Sequence, residues 1–248
     1  MQVSWNSRKG RQRQSNNDAA SIAIGENQVV AVLVDAAESR QPGSNQAKEL
    51  AHYWSQFLAQ AAMSLAFPID AIQLGKLMRQ EQATLRHRYL HEIASYCLVV
   101  INLDSGQYQV FHCGDTLAGI TVSPDAIDSV QWLHPPHTLT QQYAVIGTTP
   151  VTQCVNSESG SNSPVLTRCL NSRRFHCPDM LHGALDLELT MVIASDGCWD
   201  KNTDDDSSVI LIRSGQQSVQ SDSDCDNLFV FPESTTVTLQ GSSGTADW

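Results

Sequence analysis

Residues 189–200 read L-T-M-V-I-A-S-D-G-C-W-D, and this stretch decides the fold prediction for the chain. Its apolar run ends abruptly at Ser195-Asp196-Gly197. This pattern is typical of a buried strand that delivers one carboxylate to the rim of a sheet. Asp200 follows four residues later, close enough to share a site with Asp196 if the chain turns.

Two further stretches have the same design. Residues 29–34 are continuously apolar and end at Asp35, and residues 108–113 lead to Gly114-Asp115. Three strand ends that each finish in an aspartate predict one cluster of carboxylates. Hard divalent cations such as Mg²⁺ and Mn²⁺ prefer oxygen ligands of this kind. The pattern therefore indicates a divalent-metal site.

Composition narrows the class of protein. The chain has 248 residues, 41% of them hydrophobic, and a formal net charge of −11. That length can bury a sizeable core in one domain, and the acidity argues against a nucleic-acid partner. No apolar run approaches the ~20 residues of a membrane helix. No apolar segment follows the basic residues near the N-terminus, so we expect no secretory signal, no membrane partner and a cytoplasmic location.

Two other motifs were considered as metal or redox sites. The seven cysteines form no C-x-x-C pair, which disfavours a zinc site or a disulfide framework. His87 and His91 are four residues apart on a predicted helix, but no third ligand is evident in the sequence.

The short basic run from Arg8 to Arg13 is interpreted either as a frayed terminus or as an anion site near the carboxylates.

Periodicity predicts an α+β sandwich, with two helices on one side of an antiparallel sheet system. The predicted elements are helices from Asn45 to 65 and from Asp70 to 90; strands at 21–24, 28–34, 93–103, 107–113, 116–122, 187–195 and 208–212; a surface loop at 149–164; a small hairpin at 228–239; and a mobile end at 241–248. The strands from 93 to 122 are predicted to form one antiparallel meander.

In this order the motifs resemble the metal-dependent protein phosphatase 2C family, of a divergent bacterial type, from about Arg13 to Ile212. The matching motifs are I-A-S-D-G-C-W-D at 193–200, C-G-D-T at 113–116, L-T-R-C-L at 166–170, D-D-S-S-V-I-L-I at 205–212, and Arg13 with Asn16-Asn17-Asp18. The resemblance implies a four-layer α-β-β-α sandwich of antiparallel sheets flanked by helices. It also implies a centre with two Mg²⁺ or Mn²⁺ ions.

The resemblance assigns roles to individual residues. The implied metal ligands are Asp18, Asp35, the Ala36 carbonyl, Asp115, Asp196, Asp200 and Asp205. Among them Asp35 would bridge both ions, and Asp115, Asp196 and Asp200 match the ligands of a third ion in relatives. Asp35 and Asp196 are the implied catalytic residues, together with Arg13, which matches the family's phosphate-binding arginine.

The implied function is a protein serine/threonine phosphatase that hydrolyses phosphomonoesters through a metal-bridging hydroxide. Its implied partner is a phosphorylated protein in signalling, such as a Ser/Thr kinase or the substrate of one. Residues 1–213 are expected to form the catalytic domain and residues 214–248 a C-terminal extension.

Departures from the family pattern keep an alternative open. The family's Asp-Gly-x-Gly-Gly is here Asp35-Ala36-Ala37-Glu38-Ser39, Ala37 stands where some relatives carry a histidine acid, and Asn17 stands where an acidic residue is common. These changes suggest as the alternative a pseudophosphatase, which would bind phosphoprotein or metal without turnover. Retention of Asp35, Asp196 and Asp205 favours the active enzyme.

Overall fold

A computed structural model describes residues 1–38, 44–124, 126–146, 165–232 and 237–239. The loop expected at 149–164 and the mobile end expected at 241–248 lie outside these residues. In chain order the elements are β1 (Gln2–Arg8), β2 (Asp18–Ile24), β3 (Gln28–Ala36), α1 (Gln46–Met63), α2 (Ala71–Leu85), β4 (Ile93–Asn102), β5 (Gln107–Cys113), β6 (Leu117–Thr121), a short 3-10 helix (Ile127–Ser129), β7 (Gln131–Trp132), α3 (Leu139–Ile146), β8 (Leu170–Asn171), β9 (Asp179–Ala184), β10 (Thr190–Ala194), α4 (Asp196–Trp199), β11 (Ser207–Arg213), β12 (Ser218–Ser223), β13 (Leu228–Phe231) and β14 (Val237–Leu239).

The strands form two mixed sheets that pack face to face, and most of their pairings are antiparallel. The helix-covered sheet has the order β13-β2-β3-β4-β5-β9, with β8 pairing to β4. The outer sheet has the order β14-β12-β1-β11-β10-β6-β7. The predicted α+β sandwich of two sheets is confirmed.

The continuous apolar run of β3 follows from its place between two layers. Val30, Val32 and Val34 face α1 and α2. Ala31 and Leu33 face the outer sheet, in a second core. Because both faces of the strand are buried, neither can carry polar side chains, and polarity returns only at Asp35, where β3 approaches the sheet edge.

The two predicted helices cover one sheet, as expected. Asp70 caps α2 by accepting a hydrogen bond from the Ile72 amide at 2.9 Å. Asn45 precedes α1 but makes no side-chain cap bond; Ser44 instead accepts from the Gln46 amide at 3.1 Å. The far face of the outer sheet is covered by α4 and the segment around the 3-10 helix, a much thinner layer.

The chain from 93 to 122 does not form a single meander. The β4–β5 hairpin lies in the helix-covered sheet, whereas β6 pairs with β10 in the outer sheet. The turn at Gly114-Asp115 therefore carries the chain from one sheet to the other. This crossing brings Asp115 to the edge where both sheets end.

The region after residue 213 extends both sheets. β12 pairs in parallel with β1, and β13 pairs in parallel with β2. The hairpin expected at 228–239 is not formed, since β14 pairs with β12 and not with β13. The sequence suggested a hairpin because two short strands are close along the chain, but each pairs with a longer strand of a different sheet.

None of the helices in the part of the chain that the structure describes is long and apolar enough to cross a membrane.

Candidate metal centre

Carboxylates from both sheets meet at one end of the sandwich. Asp18 starts β2 and lies opposite Asp35 at the end of β3 in the antiparallel register. Asp196 follows β10 of the outer sheet as the first residue of α4. The charges of Asp18, Asp196, Asp115 and Asp205 all act on Asp35. The structure thus brings together five aspartates that the sequence proposed as ligands.

Asp35 lies at the centre of this cluster. Burial raises the pKa of its carboxyl group well above the ordinary value, and the charges of Asp18 and Asp196 raise it further. Each neighbour disfavours ionisation of the others, because like charges in a poorly solvated site repel. A divalent cation would remove that repulsion.

Asp18 gives the most direct sign that the cluster fits a cation. Its side chain is fully buried, and neither carboxylate oxygen has a hydrogen-bond partner within the described residues. The hydroxyl groups of Ser208 and Ser195 lie close enough to lower its pKa, but not in hydrogen-bonding geometry. Burial, followed by the charge of Asp206, raises the pKa of Asp18 well above its usual range. Buried polar atoms are normally satisfied, and an unsatisfied buried carboxylate is costly. An unpartnered buried carboxylate close to other carboxylates fits a metal ligand.

Asp196 is held by a turn that needs glycine. A β-carbon at Gly197 would lie 2.1 Å from the Asp206 carbonyl oxygen, so only glycine allows α4 to pack against this segment. Burial, then the charges of Asp115 and Asp205, raise the pKa of Asp196 to about 7. The S-D-G motif therefore both ends the strand and aims the carboxylate into the cluster.

Asp115, which follows a strand of the helix-covered sheet, is also positioned by a turn that needs glycine. Gly114 has φ +109°, and a β-carbon there would lie 2.0 Å from Ser95 Oγ. Ser95 Oγ donates to Asp115 Oδ1 at 2.6 Å and accepts from the Asp115 amide at 3.1 Å. Trp199 Nε1 donates to the Asp115 carbonyl at 3.0 Å and ties α4 to this turn.

Asp205 and Asp206 have different partners. Asp205 Oδ1 accepts two hydrogen bonds from Arg13, from Nε at 2.9 Å and from Nη2 at 2.5 Å. Asp206 accepts from the Gly10 amide at 2.9 Å and from the Asn17 amide at 2.8 Å, and so fixes the segment that carries Arg13.

Sequence reasoning missed the role of Asp206. Its pKa is raised by burial in spite of these hydrogen bonds, and its charge acts on Asp18. The sequence feature that could have indicated this role is the position of Asp206, the last of three consecutive aspartates, directly before β11.

Arg13 stands at the mouth of the cluster. Besides Asp205 it contacts Glu38, whose Oε2 lies 2.9 Å from Arg13 Nη1. The Arg13 side chain is 21% exposed. Of the two interpretations of the basic run, the anion site fits this position better than a frayed terminus, because Arg13 is fixed beside the carboxylates.

The last two proposed ligands differ in position. Ala36 ends β3 in ordinary extended backbone, since Lys201 is the one non-glycine residue with positive φ among the described residues. Alanine therefore adopts the backbone conformation at this position without strain, and glycine is not required for the carbonyl to serve as a ligand. Asp200 is exposed at the end of α4, with its amide bonded to the Asp196 carbonyl. It is not among the aspartates whose charges raise the pKa of Asp35 or Asp196.

No protein-family model and no curated protein matches the chain, but solved structures do. The serine/threonine phosphatase of S. agalactiae is 15% identical, with 86% of this chain and 99% of that chain covered and a TM-score of 0.65. The chain has the protein phosphatase 2C fold. Stp1 from Staphylococcus aureus is 14% identical, with 86% and 95% covered and a TM-score of 0.62. The catalytic domain of PstP, solved in complex with 2 manganese ions, is 13% identical, with 84% and 96% covered and a TM-score of 0.55.

This protein phosphatase 2C fold also gathers a second group of side chains that could hold a metal ion. His112, His137 and Asp179 bring ligand atoms within 4.8 Å of one another. However, the rings of His112 and His137 are stacked, with centroids 4.7 Å apart and an interplanar angle of 19°. Histidine binds metals in the plane of its ring, so an ion shared by both would require one ring to turn.

In the present arrangement these side chains support the Gly114 turn. The Gly114 amide donates to His137 Nδ1 at 3.1 Å, and His137 Nε2 lies 3.0 Å from Asp179 Oδ2. Burial, followed by the charge of His134, lowers the pKa of His112 to about 3, so this ring is neutral. This group could not be predicted from the sequence, because its members lie on segments that are distant along the chain.

Proposed function

We propose that the protein is a metal-dependent phosphoprotein serine/threonine phosphatase. The observation that carries the proposal is Asp18, whose two buried carboxylate oxygens have no hydrogen-bond partner within the described residues, while the charges of Asp206 and Asp196 act on them. The protein phosphatase 2C fold supports it. We propose Mg²⁺ or Mn²⁺ as the ions, since carboxylate and carbonyl oxygens suit them.

The residues that would hold the ions are Asp35, Asp196, Asp205 and the Ala36 carbonyl, with Asp18 beside them. A third, weaker ion would bind near Asp115, Asp196 and Asp200. All of these lie within residues 1–213, which we propose as the catalytic unit. The ions would supply positive charge for the phosphate oxygens and lower the pKa of a water molecule for attack at phosphorus.

Arg13 is the chain's own group for orienting the phosphate. A guanidinium presents a planar fork that matches two phosphate oxygens. In the structure this fork is occupied by Asp205 and Glu38. Metal binding at Asp205 would weaken its pairing with Arg13, because the carboxylate charge would be shared with the ions, and the guanidinium would become available to an incoming phosphate.

The protonation of the leaving oxygen depends on which acids the site contains. Ala37 stands where some members of the resembled family carry a histidine acid, so that acid is absent and we propose that the leaving oxygen takes its proton from solvent. Esters whose leaving group is already stable as an anion, such as aryl phosphates, should therefore react more readily than phosphoserine esters.

We propose a phosphorylated protein as the physiological substrate, such as a Ser/Thr kinase or its target, in the cytoplasm.

The second candidate function is a pseudophosphatase with the same fold. The Arg13–Glu38 ion pair favours it, because Glu38 places a carboxylate where a substrate phosphate would bind. The five aspartates favour the enzyme over an inactive relative that binds only phosphoprotein, since such a relative has no need to keep mutually repelling carboxylates.

Hydrolysis of an aryl phosphate, with added Mn²⁺ and with excess chelator, tests the proposal. We expect hydrolysis with Mn²⁺, its loss in chelator and its return when Mn²⁺ is restored. Full activity in excess chelator would contradict a metal-dependent enzyme. Binding of Mn²⁺ in calorimetry without any hydrolysis would favour the pseudophosphatase.

A further inference from the structure

Two loops beside the metal centre are joined into one surface. The first follows α2 and the second follows β8. Ser172 Oγ donates to the Tyr89 carbonyl at 3.0 Å, and Arg173 Nε donates to the Leu90 carbonyl at 3.1 Å. Arg173 Nη2 also lies 2.5 Å from His91 Nδ1. These bonds give the loops a fixed relative position.

The joined surface is basic in an acidic protein. We call it the basic rim, and its exposed members are Arg86, His87, Arg88, His91, Arg173 and Arg174. Four of the fifteen lysines and arginines of a chain with net charge −11 lie here. Arg88 is paired with Glu49 at 2.8 Å. Arg86 and Arg174 have no ion pair within the described residues, and they leave free positive charge on this surface.

The basic rim begins next to the chain segment that carries Asp35. The Ala37 amide donates to the Ile93 carbonyl at 3.1 Å, and Ile93 lies opposite Asn171 in the β4–β8 pairing. Ala37 is two residues after Asp35. His91 is two residues before Ile93, and Arg173 is two residues after Asn171. The segment that carries Asp35 is therefore the neighbour of the two segments that lead into the basic rim.

We infer that the basic rim binds acidic side chains that flank the phosphorylated residue of a protein substrate. This inference rests on the proposed phosphatase function and adds a substrate class to it. A peptide with its phosphate at the carboxylate cluster would pass this surface within a few residues, at ~3.3 Å per extended residue. Attraction of the acidic flank to the basic rim, on one side of the carboxylate cluster, would also help to fix the direction of the peptide.

A nucleic acid fits the basic rim less well. Binding to a nucleic-acid backbone depends on many phosphate contacts along an extended positive surface. Here six basic side chains are confined to two short loops of a strongly acidic chain. A short acidic peptide needs only two or three such contacts.

The test is a binding measurement that does not require turnover. Fluorescent peptides would carry a phosphonate analogue of phosphoserine, with glutamate flanks in one and alanine flanks in the other. Fluorescence anisotropy in Mn²⁺ would give both Kd values. We expect the glutamate peptide to bind three- to tenfold more tightly, since exposed ion pairs contribute modestly. The advantage should shrink as salt is raised from 50 to 300 mM, because exposed charges are screened.

The variant Arg86→Gln with Arg174→Gln removes the two unpaired arginines without touching the bonds of Arg173. It should abolish the preference for glutamate. Lys76→Gln with Arg213→Gln is the matched control, because it removes the same charge at exposed sites outside the rim. Lys76 is ten residues, about 15 Å, before Arg86 along the helix. The control should keep the preference.

Equal binding of the two peptides by the wild type, or a preference that survives the Arg86 and Arg174 changes, would overturn the inference. Tighter binding of a single-stranded oligonucleotide of equal charge would overturn it as well. Absence of aryl phosphate hydrolysis would contradict the proposed function instead. The glutamate preference is measured without hydrolysis, so the two failures are distinguishable.

Discussion

Arg13 Nη1 lies 2.9 Å from Glu38 Oε2, while Nε and Nη2 of the same guanidinium contact Asp205. The group proposed to orient phosphate is thus held from two sides by carboxylates. One of them, Asp205, is a proposed metal ligand. The other, Glu38, is 55% exposed and stands where the resembled family has glycine. This ion pair connects the altered Asp35-Ala36-Ala37-Glu38 motif to the group proposed to orient phosphate.

Arg13→Ala should raise the KM for an aryl phosphate about tenfold and weaken inhibition by inorganic phosphate, because the bidentate contact is lost. Arg13→Lys should restore only part of the affinity, since an ammonium lacks the planar fork. Steady-state kinetics and Mn²⁺ calorimetry would check this. Unchanged KM and phosphate inhibition in Arg13→Ala would return Arg13 to the interpretation of a basic terminus.

Glu38→Gln should act in the opposite direction. Loss of the carboxylate frees Arg13 Nη1 and removes a negative charge from the path of the phosphate. The KM should fall about two- to fivefold with little change in kcat, the magnitude of one partly exposed ion pair. Glu49→Gln, at an exposed ion pair with Arg88, is a matched control and should leave the aryl phosphate KM unchanged. A KM that stays the same or rises in Glu38→Gln would show that Glu38 does not compete with substrate.

The raised carboxyl pKa values predict how the stability of the metal-free protein depends on pH. Above pH ~4 the carboxyl groups of Asp18, Asp35 and Asp196 are ionised in the unfolded chain. In the folded protein the same groups keep their protons to higher pH, because their pKa values are raised. The free energy of unfolding should therefore fall as pH rises through about 7, the folded pKa of Asp196, by ~1.4 kcal/mol per pH unit for each proton of difference.

The histidines set the pH window of this test. The pKa values of His112 and His134 are lowered to about 3 and about 4, mainly by burial, so these rings add stability as pH rises toward ~6.5. Between pH 6.5 and 8 only the carboxylate effect remains. In chelator the Tm should fall across this window, and Asp18→Asn should reduce the fall. A constant Tm in chelator would contradict the raised carboxyl pKa values of the cluster.

Much of the fold could be predicted from local patterns. The end of β3 at Asp35 and the end of β10 before Asp196 are visible because a buried strand must be apolar until it reaches the sheet edge. β1 was missed, although Val3, Trp5 and Ser7 alternate with more exposed residues, because the basic residues that follow suggested a frayed terminus. Its burial depends on β11 and β12, some two hundred residues away in sequence.

The details of the site depended on tertiary contacts. Asp206 and the Arg13–Glu38 pair join segments that no local pattern relates. From the sequence, His87 and His91 are notable only as a possible metal pair. The bonds of Arg173 to Leu90 and His91 show that the basic residues after α2 continue into a second basic loop. Spacing along the chain carries no information about such neighbours.

Asp35 and Asp200 should differ sharply in their effects. Asp200 is exposed at the end of α4 and stands apart from the charges that act on Asp35. We therefore expect Asp200→Ala to fold, to bind about two Mn²⁺ ions in calorimetry, and to lose turnover by about tenfold or less. A loss as large as that of Asp35→Asn would contradict a peripheral role for Asp200.

The central claim is that Asp35 organises a metal-dependent phosphatase centre, and the aryl phosphate kcat/KM of Asp35→Asn in Mn²⁺ tests it most directly. Circular dichroism would first establish that the variant is folded. The substitution removes the charge at the centre of the cluster, so we expect a loss of about a thousandfold or more, ~4 kcal/mol of transition-state stabilisation. A folded Asp35→Asn protein that retains most of the wild-type kcat/KM would contradict this account of the site.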